Sequence, residues 1–286
     1  MRILFISILS IVFSTSLVVG QITDVFGNNV PARQGASTKG VSSEHNKKDE
    51  QGLKQGYWEK RFSNGKPAYT VTFKDDKPVG KMTRYYFNGN KKVVVDYNED
   101  QYGKAILYSE NGKISAKGFY QGTQKDSLWQ FFSPEGVLYT KESYKEGLKN
   151  GISTHFFRKG NVAEEVEWKD DVKDGIWKKY HENGQLKMTS SHKDGKIEGE
   201  YIVFYPDGKP EVQGKFEHGL EEGTWLVFTH AGNLAYKIEY KEGKTLNAAD
   251  FDEQQQSLFE EFEKNKGKIK DPEEFKHDPD SYLKGM

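Results

Sequence analysis

The chain has 286 residues with 42 basic and 43 acidic side chains, a formal charge of -1 and a mean hydropathy of -0.84. A chain with so little net charge has no field that would gather nucleic acid or an anionic membrane, so nucleic-acid binding is excluded and membrane association is not favoured. Cysteine is absent, which excludes disulfides, thiolate metal sites and thiol nucleophiles. The 16 Tyr, 18 Phe, 5 Trp and 29 Gly favour an all-β fold with short strands and tight turns.

The N-terminus resembles an export signal. Arg2 precedes a largely apolar run from Ile3 to Val19, and Val18 and Gly20 are small enough for the positions that signal peptidase reads. We therefore predict a signal peptide over residues 1–20, cleavage before Gln21 and a periplasmic or secreted mature protein. The alternative is a retained membrane anchor, although 17 residues lie at the lower limit for spanning a bilayer.

Residues 21–52 are rich in Asn, Ser, Gly, Lys and Glu without sustained periodicity, which predicts a disordered linker. Residues 53–245 contain a tandem repeat with a period of 23 or 24 residues. Each copy is numbered here from a start residue, position 0, and the eight start residues are Gly56, Gly80, Gly103, Ser127, Gly151, Gly175, Gly199 and Gly223. A repeat of this length that covers the chain predicts a stacked array whose neighbours bury one another.

A second glycine follows nine residues after every start residue, often preceded by Asn or Asp, which is typical of a tight hairpin turn. These glycines are Gly65, Gly89, Gly112, Gly136, Gly160, Gly184, Gly208 and Gly232. A further turn falls near position 20, so each copy predicts a strand, a turn, a strand and a turn.

Aromatic residues recur at three positions of the repeat. Position 2 carries Trp58, Trp129, Trp177 and Trp225, and position 17 carries Phe73, Tyr97, Tyr120, Tyr144, Trp168, Phe216 and Tyr240. Position 5 is aromatic in every copy but the first. Positions 11, 13 and 17 share one face of a strand, which predicts a sheet with one covered and one wet face. Positions 2 and 5 differ in parity, which requires a bulge, a bend or aromatic residues on both faces.

After the array, residues 246–286 change period. Phe251, Leu258, Phe259 and Phe262 fall on one helical face, and Asp250 with Glu253 resembles an N-cap and its N3 partner. This predicts a helix from Asp250 to about Lys266 followed by a short tail. The helix either covers the last strand edge or docks a partner.

The start glycine, the Gly-x-Trp and Asn-Gly patterns and the recurring aromatic residues together resemble the MORN repeat, and most closely its bacterial variant, whose members are often labelled antitoxin-like. The resemblance covers about residues 56–243. It implies an elongated, twisted antiparallel sheet of eight hairpins that is used for protein contacts, sometimes for membrane association, or as an appendage to an enzyme domain. An antitoxin role implies a cytosolic partner, which conflicts with an export signal.

No catalytic, cofactor-binding or metal-binding pattern emerges from the sequence. The seven histidines occupy different repeat positions without zinc-site spacing, and no phosphate-binding loop or nucleophile elbow occurs. Lys66, Lys113 and Lys209 follow the hairpin glycines and form either a ladder for phospholipid head groups or a plain polar edge. The sequence therefore predicts a noncatalytic, exported scaffold for an unidentified protein partner. The alternatives are a module that binds glycans or surface polymers and an immunity or antitoxin-like inhibitor of a toxin.

Overall fold

A computed structural model describes residues 45–247 and 253–265, which all belong to a unit spanning residues 39–286. The signal peptide, most of the linker, Asp250, Phe251 and the C-terminal tail lie outside the described residues. The described residues form eighteen strands and one helix, which confirms the all-β prediction.

Each strand pairs antiparallel with its neighbours in the sequence, so the strands form one open meander. The first nine strands are β1 Lys47–Lys48, β2 Lys54–Arg61, β3 Pro67–Lys74, β4 Lys77–Tyr85, β5 Lys91–Tyr97, β6 Tyr102–Tyr108, β7 Ile114–Gln121, β8 Gln124–Phe132 and β9 Leu138–Lys145. The other nine are β10 Leu148–Phe156, β11 Val162–Lys169, β12 Val172–Tyr180, β13 Leu186–Lys193, β14 Lys196–Phe204, β15 Pro210–Glu217, β16 Leu220–Phe228, β17 Leu234–Lys241 and β18 Lys244–Thr245. The sixteen predicted strands are β2 to β17.

Each end of the array carries a short additional strand. β1 lies within residues 21–52, the predicted linker, and its Lys47 and Lys48 pair with β2. At the other end, β18 pairs with Tyr240 and Lys241 of β17. The helix α1 spans Glu253–Asn265, and its Phe259 and Phe262 pack against the buried side chains of the last repeats.

The start residue produces a bulge in the sheet. In six pairings between consecutive hairpins, three residues of one strand lie opposite a single residue of the other, as in β11 and β12, where 174–176 oppose Glu167. Such an insertion is compatible with a start residue in the left-handed region, and Ser127 has a φ of 57° like the glycines. Gly103 is the exception: β5 and β6 pair without a shift, and the preceding turn spans residues 98–101.

The bulge adds two residues to one strand, so the alternation of side chains between the two faces continues across it. Positions 2 and 5 therefore lie on opposite faces of the sheet. Positions 2, 4, 13, 15 and 17 lie on one side of the sheet, called the core face here. Positions 1, 3, 5, 14 and 16 lie on the other side, the outer face. The Lys117 ammonium lies 5.4 Å from the Phe132 ring, and the Tyr180 hydroxyl donates to Glu165, so position 5 meets position 14. Aromatic residues thus lie on both faces.

The core face holds two apolar clusters. The first includes Val95, Tyr120 and Trp129 in the N-terminal half of the array, and the second includes Trp225, Ile238 and Tyr240 beneath α1. The Phe262 ring lies 6.5 Å from the Trp225 ring, and the Tyr240 hydroxyl donates to Glu263 at 2.7 Å. Burial of apolar area against neighbouring repeats therefore stabilises both clusters, and the helix adds to the burial of the second.

Candidate functional site

The repeat residues predicted from the sequence occupy two structural roles. The eight position-9 glycines lie in hairpin turns with φ between 79° and 95°. The rings at positions 2 and 17 lie on the core face, where Trp129, Tyr120, Trp225 and Tyr240 are each at most 2% exposed. Tyr97 is also buried, and these five rings belong to the core of the sheet, because a buried ring cannot stack on a ligand in solvent. The other predicted rings at these positions are half-buried, namely Trp58, Trp177, Phe73, Tyr144, Trp168 and Phe216.

Position 15 completes that core, and sequence reasoning missed it because its residue type varies. The site across from the position-2 ring is Gly118 for Trp129 and Gly214 for Trp225, and each glycine Cα lies against the indole. Where position 2 is smaller, position 15 is larger, as in Ala105 directly opposite Val95. The compensation of size between neighbouring repeats is the signal that could have identified the position.

A lysine recurs two residues before the start residue, and the sequence alone did not indicate that this position is structurally important. Lys54, Lys125, Lys149 and Lys173 share this position, and each ammonium lies between 4.5 and 5.7 Å from one or more core-face rings. Lys125, for example, lies 4.5 Å from Tyr144 and 5.1 Å from Trp129. An ammonium over aromatic faces is stabilised electrostatically, so lysine and tryptophan pack together here.

Between the two apolar clusters, the core face is charged. The Lys149 ammonium contacts Glu142 at 2.8 Å, and the Tyr144 hydroxyl donates to the other oxygen of that carboxylate. Burial raises the pKa of the Glu142 carboxyl, but Lys149 and the hydrogen bonds outweigh this effect, so the pKa lies below its usual value. Burial and the adjacent Glu142 raise the pKa of Tyr144. Glu142 is therefore held as a carboxylate and is not available as a general acid.

A second buried carboxylate lies in the next hairpin. Glu164 is 1% exposed, accepts a hydrogen bond from the Trp177 indole at 2.5 Å and lies 3.8 Å from the Lys179 ammonium. Its cross-strand neighbour is His155, which is hydrogen-bonded to Thr140 at 2.8 Å. Within residues 45–247 and 253–265, no group of three His, Asp or Glu residues is arranged to hold a metal ion. The geometry is that of a neutralised polar core.

The outer face opposite this polar core is unusually apolar. Leu128, Ile152 and Ile176 occupy position 1 of three consecutive repeats and are 45%, 50% and 46% exposed. Polar residues occupy the same position in other repeats, including Lys81, Lys104, Glu200 and Thr224. The fifth repeat thus has Ile152 exposed and Ser153 buried, the reverse of the usual polarity of a sheet. An exposed aliphatic row of this kind is typical of an interaction surface.

The lysines beside the hairpin turns have a structural role. Lys66 donates to the Asn88 carbonyl at 2.6 Å, Lys113 to the Pro134 carbonyl at 2.7 Å, and Lys209 to the His230 carbonyl at 3.3 Å. Each bond joins a turn to the turn of the next repeat. These lysines are consequently part of the stacking contacts along the turn edge.

The one described helix is too short and too polar to span a bilayer.

These features define the class: an open sheet of tandem β-hairpins in which each repeat contacts its neighbours. The family model described as MORN repeat variant matches residues 101–121, 173–194, 197–218 and 221–242. Each match covers one hairpin, namely β6 and β7, β12 and β13, β14 and β15, or β16 and β17. Four of the eight hairpins therefore match the MORN repeat variant. No curated protein matches the chain. MORN repeats are typically noncatalytic and commonly mediate protein or membrane interactions.

Proposed function

We propose that this protein is an exported, noncatalytic scaffold that binds a protein partner through the outer face of its central repeats. The observation that carries the proposal is that Leu128, Ile152 and Ile176 are exposed at the same position of three consecutive repeats on the outer face. Solvated aliphatic side chains bring no stability to the isolated sheet, whereas their burial by a partner is favourable.

The charged core beneath the row strengthens this proposal. Sheets normally place aliphatic side chains inside and charges outside. Here Glu142, Lys149 and Ser153 are buried while Leu128 and Ile152 are exposed. The fifth repeat exchanges the usual polarity of its two faces, and such exceptions to local rules tend to occur at functional sites, which supports a role of the outer face other than stability.

The glycan alternative has less support from these contacts. Stacking on sugars needs open ring faces, but Trp129, Trp225 and Tyr120 are buried on the core face, and the remaining Trp rings there are half-buried. Lysine ammonium groups lie over half-buried rings on both faces, including Trp58 and Trp168 on the core face and Phe132 on the outer face, and compete with a sugar for those ring faces. An antitoxin-like role remains a particular case of protein binding, in which the captured partner would be a toxin.

Site-specific photocrosslinking tests the proposed surface. A photoreactive amino acid at position 152 should produce a protein adduct in the cell that makes the protein, whereas the same substitution at Thr224 should produce none. Thr224 is the matched control, because it is exposed at position 1 of the eighth repeat but is not aliphatic. Equal adduct yields at the two positions would contradict the proposal.

Export rests on the apolar run from Ile3 to Val19 behind Arg2. Fractionation of the producing cell should recover the protein outside the cytosol, and N-terminal sequencing should begin at Gln21. A cytosolic protein with an intact N-terminus would refute this part of the proposal without affecting the interaction surface.

A further inference from the structure

The exposed aliphatic residues belong to a longer row that crosses the whole outer face. Position 1 of each repeat lies directly opposite position 16 of the same hairpin, as in Leu128 and Ser143, or Ile152 and Glu167. Between hairpins, Asp96 pairs directly with Lys104, whereas in the other six cases position 1 lies in the three-residue bulge beside position 16 of the preceding hairpin. In strand order the row contains Tyr57, Thr72, Lys81, Asp96, Lys104, Phe119, Leu128, Ser143, Ile152, Glu167, Ile176, Ser191, Glu200, Lys215, Thr224 and Glu239. Equivalent positions are two strands apart, or about 9.6 Å.

This row is complementary to its own reverse about Ile152. Reversal places Leu128 opposite Ile176, so that apolar side chains meet, and Ser143 opposite Glu167, so that a hydroxyl meets a carboxylate. Further out, Phe119 falls opposite Ser191, which is neither an apolar nor a charged pair. Lys104 then falls opposite Glu200, and Asp96 falls opposite Lys215. In no case do two charges of the same sign oppose each other.

Self-complementarity of this kind is the requirement for an isologous contact, in which residue i meets residue j of the partner and j meets i. We infer that the partner at the proposed interaction surface is a second copy of this chain, an inference that rests on the proposed function. The two outer faces pack with antiparallel rows about a two-fold axis that runs parallel to the strands between the two Ile152 side chains.

The right-handed twist of sheets limits how much of the row can be in contact. A twist of about 20° per strand turns the outer face away from the partner within a few strands. Leu128, Ile152 and Ile176 therefore form the buried centre. Lys104 and Glu200 lie at the rim, where charge complementarity fixes the sense of association more than it adds affinity.

The small apolar centre predicts a weak, concentration-dependent dimer. Stable interfaces bury at least about 1,200 Å² in total, and three partly exposed aliphatic side chains in each copy provide only part of that area. The dimer is consequently expected to dissociate on dilution and not to persist as an obligate assembly.

Sedimentation of the purified protein over a concentration series tests this inference. The natural protein should shift from monomer to dimer, and Ile152→Lys should remain monomeric. The array itself contains Lys at position 1, in Lys81 and Lys104, so this substitution is compatible with the sheet. Circular dichroism and a denaturant titration check that the variant is folded.

Charge reversal tests the antiparallel arrangement. Lys104→Glu and Glu200→Lys should each weaken the dimer roughly tenfold, and the double variant should regain most of the loss because the opposed charges are again complementary. Glu110→Lys and Lys91→Glu make the same changes at exposed positions outside the row and should have no effect. A double variant as weak as the sum of its single variants would overturn the two-fold arrangement.

The two proposals fail in distinguishable ways. A natural protein that sediments as a monomer at every concentration refutes self-association. If position 152 then still crosslinks to a different protein in the cell, the interaction surface stands and only the identity of its occupant is wrong. If position 152 yields no adduct of any kind, the proposed function is refuted as well.

Discussion

Replacing Gly118 by alanine tests how the core face is built. An added Cβ would lie 2.3 Å from Cδ2 and 2.5 Å from Cε2 of Trp129, whereas carbon atoms in contact are normally about 3.5–4.0 Å apart. Trp129 is fully buried and cannot move into solvent. Overpacking typically costs about 1–3 kcal/mol, and we expect Gly118→Ala to lie at the upper end, near 3 kcal/mol.

A smaller partner should relieve this clash. Trp129→Met leaves a cavity and destabilises the sheet by itself, by about 2–3 kcal/mol. In the double variant, the new alanine would face the new methionine, much as Val71 at position 15 faces Met82 at position 2 of the next repeat. The double variant should therefore be at least about 1 kcal/mol more stable than the sum of the two single variants predicts. Denaturant unfolding followed by circular dichroism measures the free energy of each variant.

The matched control is Gly112→Ala. Gly112 has no atom within 4 Å of the added Cβ, but its φ of 87° strains any other residue. We expect a loss of about 1–2 kcal/mol that Trp129→Met does not relieve. If Gly118→Ala changed stability by less than about 0.5 kcal/mol, or if its effect were additive with Trp129→Met, the proposed packing of position 2 on position 15 would be refuted.

Three further predictions follow from the polar core and the repeat. Glu142→Gln should cost about 3 kcal/mol in unfolding titrations, because it leaves the Lys149 ammonium buried without its carboxylate, whereas Glu182→Gln at an exposed pair should cost less than about 0.5 kcal/mol. Because the pKa of Glu142 is lowered on folding, its contribution is present above the unfolded value of about 4.3 and is lost as the pH falls through the lower folded value. The difference between natural protein and variant should therefore shrink in acid, and a constant difference would contradict the ion pair. Burial raises the pKa of Tyr120 and of Tyr201 to about 12, so the stability linked to these hydroxyls is present below pH 10 and is lost as the pH rises through 12. Ultraviolet titration should show phenolate formation that is delayed relative to the unfolded chain, and coincident curves would contradict their burial. Deletion of residues 175–198, one full period, should leave a folded sheet by circular dichroism, whereas deletion of 175–186 should not; equal damage would argue against nearest-neighbour stability.

Much of the fold was predictable because turns and aromatic residues are local signals. Asn-Gly and Asp-Gly favour tight turns, and their regular spacing predicted the positions of all sixteen long strands. The candidate surface was not predictable in the same way. Leu128, Ile152 and Ile176 look like ordinary strand residues, and only the cross-strand register shows that they lie on the outer face while Ser153 is buried.

Residues at the same position of the repeat do not always have the same backbone structure. Ser127 departs from the start glycine yet keeps its positive φ, whereas Gly103 keeps the glycine but lacks the bulge. The spacing before Gly103 is 23 residues, one fewer than the usual 24, and a four-residue turn over residues 98–101 takes the place of the insertion. Helix α1 was predicted from its apolar face, but its site on the core face depends on a cluster that forms only when the last repeats have paired.

The sequence by itself determined the eight hairpins, because turn chemistry and strand alternation act over a few residues. Tertiary structure alone decided which aromatic residues are buried, where lysines and carboxylates neutralise each other, and which side of the sheet remains apolar and exposed. These properties depend on the register between strands and on the fit of one repeat against the next. Neither is encoded in any single copy of the repeat.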